Sequence, residues 1–288
     1  MTAASNNSSS DYQAPPDIPP EQLENIRQSL QSESFVQKML GTRLPEYFDY
    51  DAGEIPLYEI IQDALVNKSI TRNKVKLEEL HKHLDPSLTS VDQHLINNVT
   101  RQFYEDVPGM DDALRKLRED YIYPLFPGER FAWQKTPTIR FHFPNAAGID
   151  PDANRLLHID SMIGHPVQEI NIWLSLTDSR LHRSFNVASL PDSLDHLSAY
   201  DHNIIELHQA LQQGLLKPDI QAVESTKEQF IVMDSRCIHG PAYNKSDITR
   251  VSLDFRIIRI SDLESLPMTY TGCGRMKARF EIGHYYAY

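Results

Sequence analysis

Glu169-Ile170-Asn171-Ile172-Trp173-Leu174-Ser175-Leu176-Thr177 alternates polar or aromatic side chains with aliphatic ones. Successive side chains on a β-strand leave opposite faces, so this stretch presents Glu169, Asn171, Trp173, Ser175 and Thr177 on one side and Ile170, Ile172, Leu174 and Leu176 on the other. Three further stretches share the pattern. Residues 138–143 set Thr138, Arg140 and His142 against Ile139, Phe141 and Phe143, residues 157–160 set His158 and Asp160 against Leu157 and Ile159, and residues 250–257 set Arg250, Ser252, Asp254 and Arg256 against Val251, Leu253, Phe255 and Ile257. A sheet with one solvated face is the simplest source of such alternation. Solvated faces are usually Lys, Glu and Thr, whereas these rows hold His, Arg, Asn and Trp. That composition favours a barrel or jelly roll whose inner face lines a ligand cavity.

Upstream of Pro124 the pattern is helical instead: Ile55, Ile60, Ile61 and Leu65 mark one stripe and Leu95, Val99 and Phe103 another, with Ser90 and Gln93 resembling a capping box. Helices followed by strands predict an α+β fold, with the N-terminal helices packed on the outer sheet face. The expected divisions are a flexible arm over 1–20, a helical part over 21–125, a sheet core over 126–262 carrying an insertion at 178–218, and an aromatic tail over 263–288. Within the insertion, 203–213 reads as a short helix stopped by Gly214.

The 288 residues include 28 Lys+Arg against 40 Asp+Glu, a formal net charge of −12. An acidic chain of pI near 5.4 disfavours capture of nucleic acid or anionic lipid, and with a mean hydropathy of −0.45 and no long apolar run it is not expected to span a membrane. Two cysteines, Cys237 and Cys273, exclude a disulfide framework. No secretory signal is visible, so a cytoplasmic protein acting on a small molecule is expected, with a homo-oligomer possible.

His158-Ile159-Asp160 places two metal-capable side chains at i and i+2, able to reach one ion. A third donor is His239, delivered by the apolar segment 230–240. Two imidazoles and a carboxylate on one side of a metal suit a non-haem Fe(II) site with open positions, while the Cys-rich and HExxH patterns of zinc sites are missing. Eleven residues after His239 comes Arg250-Val251-Ser252, whose guanidinium and hydroxyl share a strand face and could hold a carboxylate.

As a set, His-x-Asp, a distal His and an Arg-x-Ser about ten residues on resemble the Fe(II)/2-oxoglutarate-dependent oxygenase superfamily, over roughly 138–258. The resemblance implies a double-stranded β-helix (jelly roll, cupin-like), with His158, Asp160 and His239 binding Fe(II), Arg250 and Ser252 gripping the far carboxylate of 2-oxoglutarate, and Asn171 and Trp173 lining the pocket. Within the superfamily, the His-Ile-Asp-Ser start and the strands around Trp173 and Arg250 are most similar to the phytanoyl-CoA hydroxylase-like branch, and to natural-product tailoring hydroxylases such as those of the streptomycin and cylindrospermopsin pathways. One departure lies at 184–195, where a Pro-Gly-Ser-His strand end is often found and this chain has Ala188-Ser189-Leu190-Pro191.

The implied reaction is hydroxylation, consuming O₂ and releasing succinate and CO₂; related halogenases replace the carboxylate that Asp160 retains. Arg140, His142, Trp173 and His165 are candidates for substrate contact, His165 at the pocket mouth. Cys237 is expected to be a buried thiol, the 178–218 insertion could be a lid, and the tail aromatics could pack on the core, cover the pocket or meet a second copy. Two rival readings remain: a metal-binding cupin without oxygenase activity, and a metal-free ligand-binding protein of the same fold.

Overall fold

The computed structural model describes residues 18–91, 96–145, 157–178, 185–266 and 279–288. Among these, the strands are β1 (Glu46–Asp49), β2 (Phe131–Gln134), β3 (Thr138–His142), β4 (Ile170–Ser175), β5 (Phe185–Ala188), β6 (Ile220–Ala222), β7 (Gln229–Asp234), β8 (His239–Pro241), β9 (Arg250–Arg259) and β10 (Tyr286–Ala287). The helices are α1 (Pro20–Gln31), α2 (Phe35–Leu40), α3 (Leu57–Asn67), α4 (Pro86–Thr89), α5 (Asn98–Gln102), α6 (Met110–Leu117), α7 (Leu190–Ala199), α8 (Ile204–Gln212) and α9 (Ile260–Ser265). The result is a mixture of helix and antiparallel sheet.

β9 organises the larger sheet. It pairs with β4 along one edge, and along the other with β3 through Arg250 to Asp254 and with β2 through Ile257 to Arg259. The sheet runs β1-β7-β4-β9-β2-β10, and a smaller one runs β6-β5-β8. A bridge between His158 and His239 extends the smaller sheet by one position. Of the four alternating stretches, three are strands. The fourth is not: after the His158 bridge the chain enters a 3-10 turn over Asp160–Ile163, closed by Gly164 at φ +106, a backbone conformation that favours glycine.

The aliphatic row of the large sheet is covered by helices. Ile172, Leu174, Val251, Leu253 and Phe255 form one core with Leu57, Ile61 and Leu65 of α3 and Leu114 and Leu117 of α6. Much of the opposite row is buried as well: Asn171, Ser175, Arg250, Ser252 and Arg256 all are, while Arg140 near its edge is partly exposed. A second core packs Ile26 and Leu30 of α1 and Leu197, Leu207 and Leu211 of α7 and α8 against Leu157, Ile159, Met162 and Ile238, the apolar neighbours of His158, Asp160 and His239. The described part of the 178–218 insertion is therefore strand plus helices packed on this second core. α8 begins at its Asn203 cap and Gly214 follows its end, as the sequence predicts.

Three expectations for the N-terminal arm and helical part need correction. β1 lies within 21–125 and pairs with β7. The stripe holding Val99 and Phe103 belongs to a helix capped by Asn97, whose side chain accepts from the Thr100 N–H; Ser90 instead ends α4, while Gln93 and Leu95 lie outside the described residues. Residues 1–17 also lie outside them, but Ile18, assigned to the arm, is buried.

A buried clamp ties the N-terminal helices to the sheet. Arg236 Nε and Nη2 each donate to Asp234 at 2.8 Å, Nη1 donates to the Ser32 carbonyl at 2.8 Å, and Nη2 donates to Gln37 Oε1 at 2.6 Å. Ser34 Oγ also donates to Asp234. Truncating Arg236 leaves a buried carboxylate without its counter-ion, so Arg236→Ala is expected to lower unfolding free energy by about 3–5 kcal/mol, measured by chemical denaturation.

Candidate metal and anion site

His158, Asp160 and His239 meet where the His158 bridge, the start of the 3-10 turn and β8 converge. One donor atom from each lies within 4.8 Å of the other two. The His158 and His239 backbones exchange N–H···O=C bonds of 2.9 Å, and their rings lie 4.5 Å apart. His239 Nδ1 donates to the Cys237 carbonyl at 2.9 Å, which places the proton on Nδ1 and leaves the Nε2 lone pair for a metal. Nε2 lies 3.5 Å from Asp160 Oδ1.

Asp160 is fully buried and held from the opposite side. Asn171 Nδ2 donates to Oδ2 at 2.6 Å, and Arg256 reaches Oδ2 with Nε at 3.3 Å and Oδ1 with Nη2 at 3.5 Å. Burial opposes ionisation, but Arg256, followed by His239, His165 and His158, outweighs it and holds the carboxyl well below its ordinary range. The donor set thus offers an ionised carboxylate and two imidazoles, which fits a divalent iron with positions left open.

At the start of β9 the situation is reversed. Arg250 is 1% exposed, yet among the described residues its Nε and Nη1 have no hydrogen-bond partner, and neither has the hydroxyl of the fully buried Ser252. Burial, and then Arg140, push the guanidinium down to about 9 against the pull of Asp254, so it is still a cation at pH 7. A buried cation with idle donors beside an idle hydroxyl suits an anion supplied from outside the chain. Arg256 and Arg250 stand at opposite ends of the same inward row, Arg256 paired in register with Asn171 and Arg250 with His142.

The remaining predicted residues separate. Trp173 is buried, opposite Asp254 in register, with its ring 4.8 Å from Phe185. Arg140 is partly exposed and its Nε pairs with Asp254 Oδ1 at 3.2 Å. His142 is pushed well below its ordinary value by burial, then by Arg250 and Arg140, so it is neutral at pH 7. Unfolding restores its basicity, so this group costs stability as pH falls below about 6.5, and His142→Gln should flatten the decline of melting temperature between about pH 7 and 5. Cys237 is buried and its thiol is pushed well up by burial.

His165 is not at a mouth. It is 3% exposed, its Nδ1 donating to the buried Glu169 Oε2 at 2.8 Å, just after Gly164 in its left-handed conformation. Sequence reasoning missed the network around it. Glu169 also accepts from Tyr286 Oη at 2.5 Å and lies 3.7 Å from Arg256 Nε. Glu169 and Arg256 both stand in the polar rows, and that was the signal available. The Tyr286 contact had none.

No protein-family model matches the chain. The streptomycin biosynthesis protein StrG of Streptomyces griseus is 24% identical over 218 residues, 75% of this chain and 85% of that protein. Among solved structures, EctD from S. alaskensis with 2-oxoglutarate and 5-hydroxyectoine is similar at a TM-score of 0.50 and 13% identity, covering 88% of this chain and 81% of that one. SnoK, an alpha-ketoglutarate-dependent carbocyclase from nogalamycin biosynthesis, matches with a TM-score of 0.49 and 12% identity over 80% of this chain and 85% of that one. The chain shares its fold with the EctD structure.

Proposed function

We propose that the protein is an Fe(II)/2-oxoglutarate-dependent dioxygenase that hydroxylates an unactivated C–H bond of a small polar metabolite, converting 2-oxoglutarate and O₂ to succinate and CO₂. The observation that carries this reading is the buried pair Arg250 and Ser252, whose Nε, Nη1 and hydroxyl have no hydrogen-bond partner among the described residues, on the same inward row as the anchor of Asp160. A metal-binding cupin without oxygenase chemistry has no use for that pair.

The jelly-roll reading of the fold is supported by the path of the chain, which alternates between sheets: β3 in the large one, His158 in the small, β4 in the large, β5 and β6 in the small, then β7, β8 and β9 in large, small and large. A ferrous ion held by His158, Asp160 and His239 supplies the redox chemistry that O₂ activation requires. The chain's own part is positioning. The Cys237 carbonyl fixes the His239 tautomer, while Asn171 and Arg256 fix the Asp160 carboxylate. Arg250 and Ser252 hold the distal carboxylate of the cosubstrate, and neutral His142 lies beside them without adding a second charge. Asn171 Oδ1 and Tyr285 Oη, both buried and partnerless, remain for cosubstrate or substrate, with Trp173 and Arg140 as further candidates for substrate contact. Because Asp160 occupies the carboxylate position, hydroxylation is favoured over halogenation.

The likeness to StrG, a streptomycin biosynthesis protein, supports a place in natural-product biosynthesis. An alkaloid or aminoglycoside-like precursor, and a place within the phytanoyl-CoA hydroxylase-like branch, are proposed on the sequence motifs alone. The test is succinate release with Fe(II), 2-oxoglutarate and O₂ against a panel of alkaloid, amino-acid and aminoglycoside precursors. At least one should stimulate turnover severalfold over the substrate-free rate; substrate-independent absence of succinate formation would overturn the proposal.

A further inference from the structure

The C-terminal strand reaches the interior through one side chain. Tyr286 is fully buried, pairs through its backbone with Gln134, and donates its hydroxyl to Glu169 Oε1. Glu169 is itself buried, and its other oxygen accepts from His165 and faces Arg256 Nε. That Nε is shared: it lies 3.3 Å from Asp160 Oδ2 and 3.7 Å from Glu169 Oε2. One guanidinium therefore stands between two buried carboxylates, one of them the anchored donor of the metal site.

We infer that Tyr286 is a positioning residue for Asp160, acting through Glu169 and Arg256, an inference that rests on the metal-site reading above. The Tyr286 hydroxyl satisfies part of the Glu169 charge. Without it, Oε1 is a buried carboxylate oxygen lacking a donor, and a carboxylate in that state draws the nearest cation. Arg256 is already within reach, so it shifts toward Glu169 and away from Asp160. Asp160 Oδ2 then keeps Asn171 as its donor, and the carboxylate loses the second contact that fixes its direction. Partners of this kind typically govern metal affinity by about 10–100-fold. The last residues of the chain thereby form part of the metal site without touching it.

The substitution Tyr286→Phe removes the hydroxyl while keeping the ring that packs on Tyr285 and Phe280. The experiment is anaerobic calorimetric titration with Fe(II) of the wild-type protein, Tyr286→Phe, Glu169→Gln and the double variant, with apoprotein melting curves alongside. Tyr286→Phe should weaken Fe(II) binding by about 10-fold or more. In the Glu169→Gln background the same change should alter it less than about 2-fold, because no buried negative charge remains to draw the guanidinium. Wild-type affinity in Tyr286→Phe, or an equal loss in both backgrounds, would overturn the inference while leaving the metal site standing. Should Tyr286→Phe fail to fold, Glu169→Gln and the double variant carry the test, equal affinities being expected and a further loss in the double variant refuting it. Failure of the wild-type protein to bind Fe(II) would sink the metal reading and this inference together.

Discussion

Replacing Arg250 with Met should make the unliganded protein more stable and deprive it of 2-oxoglutarate. Both effects have one origin. Arg250 is buried with two idle guanidinium donors, and burial drives it down to about 9, so the free protein bears the cost of an unpaired internal cation. A Met side chain has similar length and no charge to desolvate. Exchanges of buried charge for a well-packed apolar side chain often gain about 1–4 kcal/mol, and a higher melting temperature for the Arg250→Met apoprotein is expected. On the proposed reading a dicarboxylate satisfies this cation in the wild-type protein, so 2-oxoglutarate should raise the melting temperature by mass action. In the variant that rise should vanish, the loss of a charged partner amounting to ~2–5 kcal/mol, or roughly 30-fold and more in affinity. Thermal melts with and without 2-oxoglutarate read both effects. A variant that is destabilised and still answers to 2-oxoglutarate would show that Arg250 has a structural task instead.

Asp160→Ala removes the carboxylate on which the two imidazoles converge. The fold should survive, because Arg256 keeps Asp254 at 3.2 Å and Glu169 as counter-ions, and the apolar neighbours Leu157, Ile159 and Met162 are untouched. Iron affinity should fall by more than the roughly 10–100-fold that outer partners are worth, since a direct donor is lost. Succinate formation should drop to background at micromolar iron. Equal iron affinity and equal succinate yield in the variant would mean that the ligand set is wrong, whatever the rest of the chain does.

Strands can be read when both of their faces have a distinct chemistry, and β3, β4 and β9 are of that kind. The spacing of His158 and Asp160 is equally local, and it survives the fact that the chain turns there instead of continuing as a strand. β1 is less visible, because Glu46-Tyr47-Phe48-Asp49 has no aliphatic row and gains its order from β7 across a long sequence separation. His165 misleads for a related reason. A glycine before a histidine suggests a surface loop, whereas His165 is buried against Glu169, a contact that the local sequence does not announce. Arg256 and Glu169 stand in the polar rows like their neighbours, so nothing local distinguishes Arg256, which contacts Asp160, or Glu169, which faces Arg256, from the others in those rows. The tail aromatics carry no direction at all until β10 pairs with β2 and aims Tyr286 at Glu169. Contacts between elements distant in sequence account for each of these gaps.

Anaerobic visible spectroscopy of the Fe(II)-loaded protein on addition of 2-oxoglutarate interrogates the iron, its three donors and the keto acid in one step. A weak charge-transfer absorption should grow in and saturate at one equivalent of iron, and it should be lost in Asp160→Ala. If iron and 2-oxoglutarate each bind, as judged by calorimetry, and no such absorption develops, the two do not share a coordination sphere and the oxygenase assignment fails.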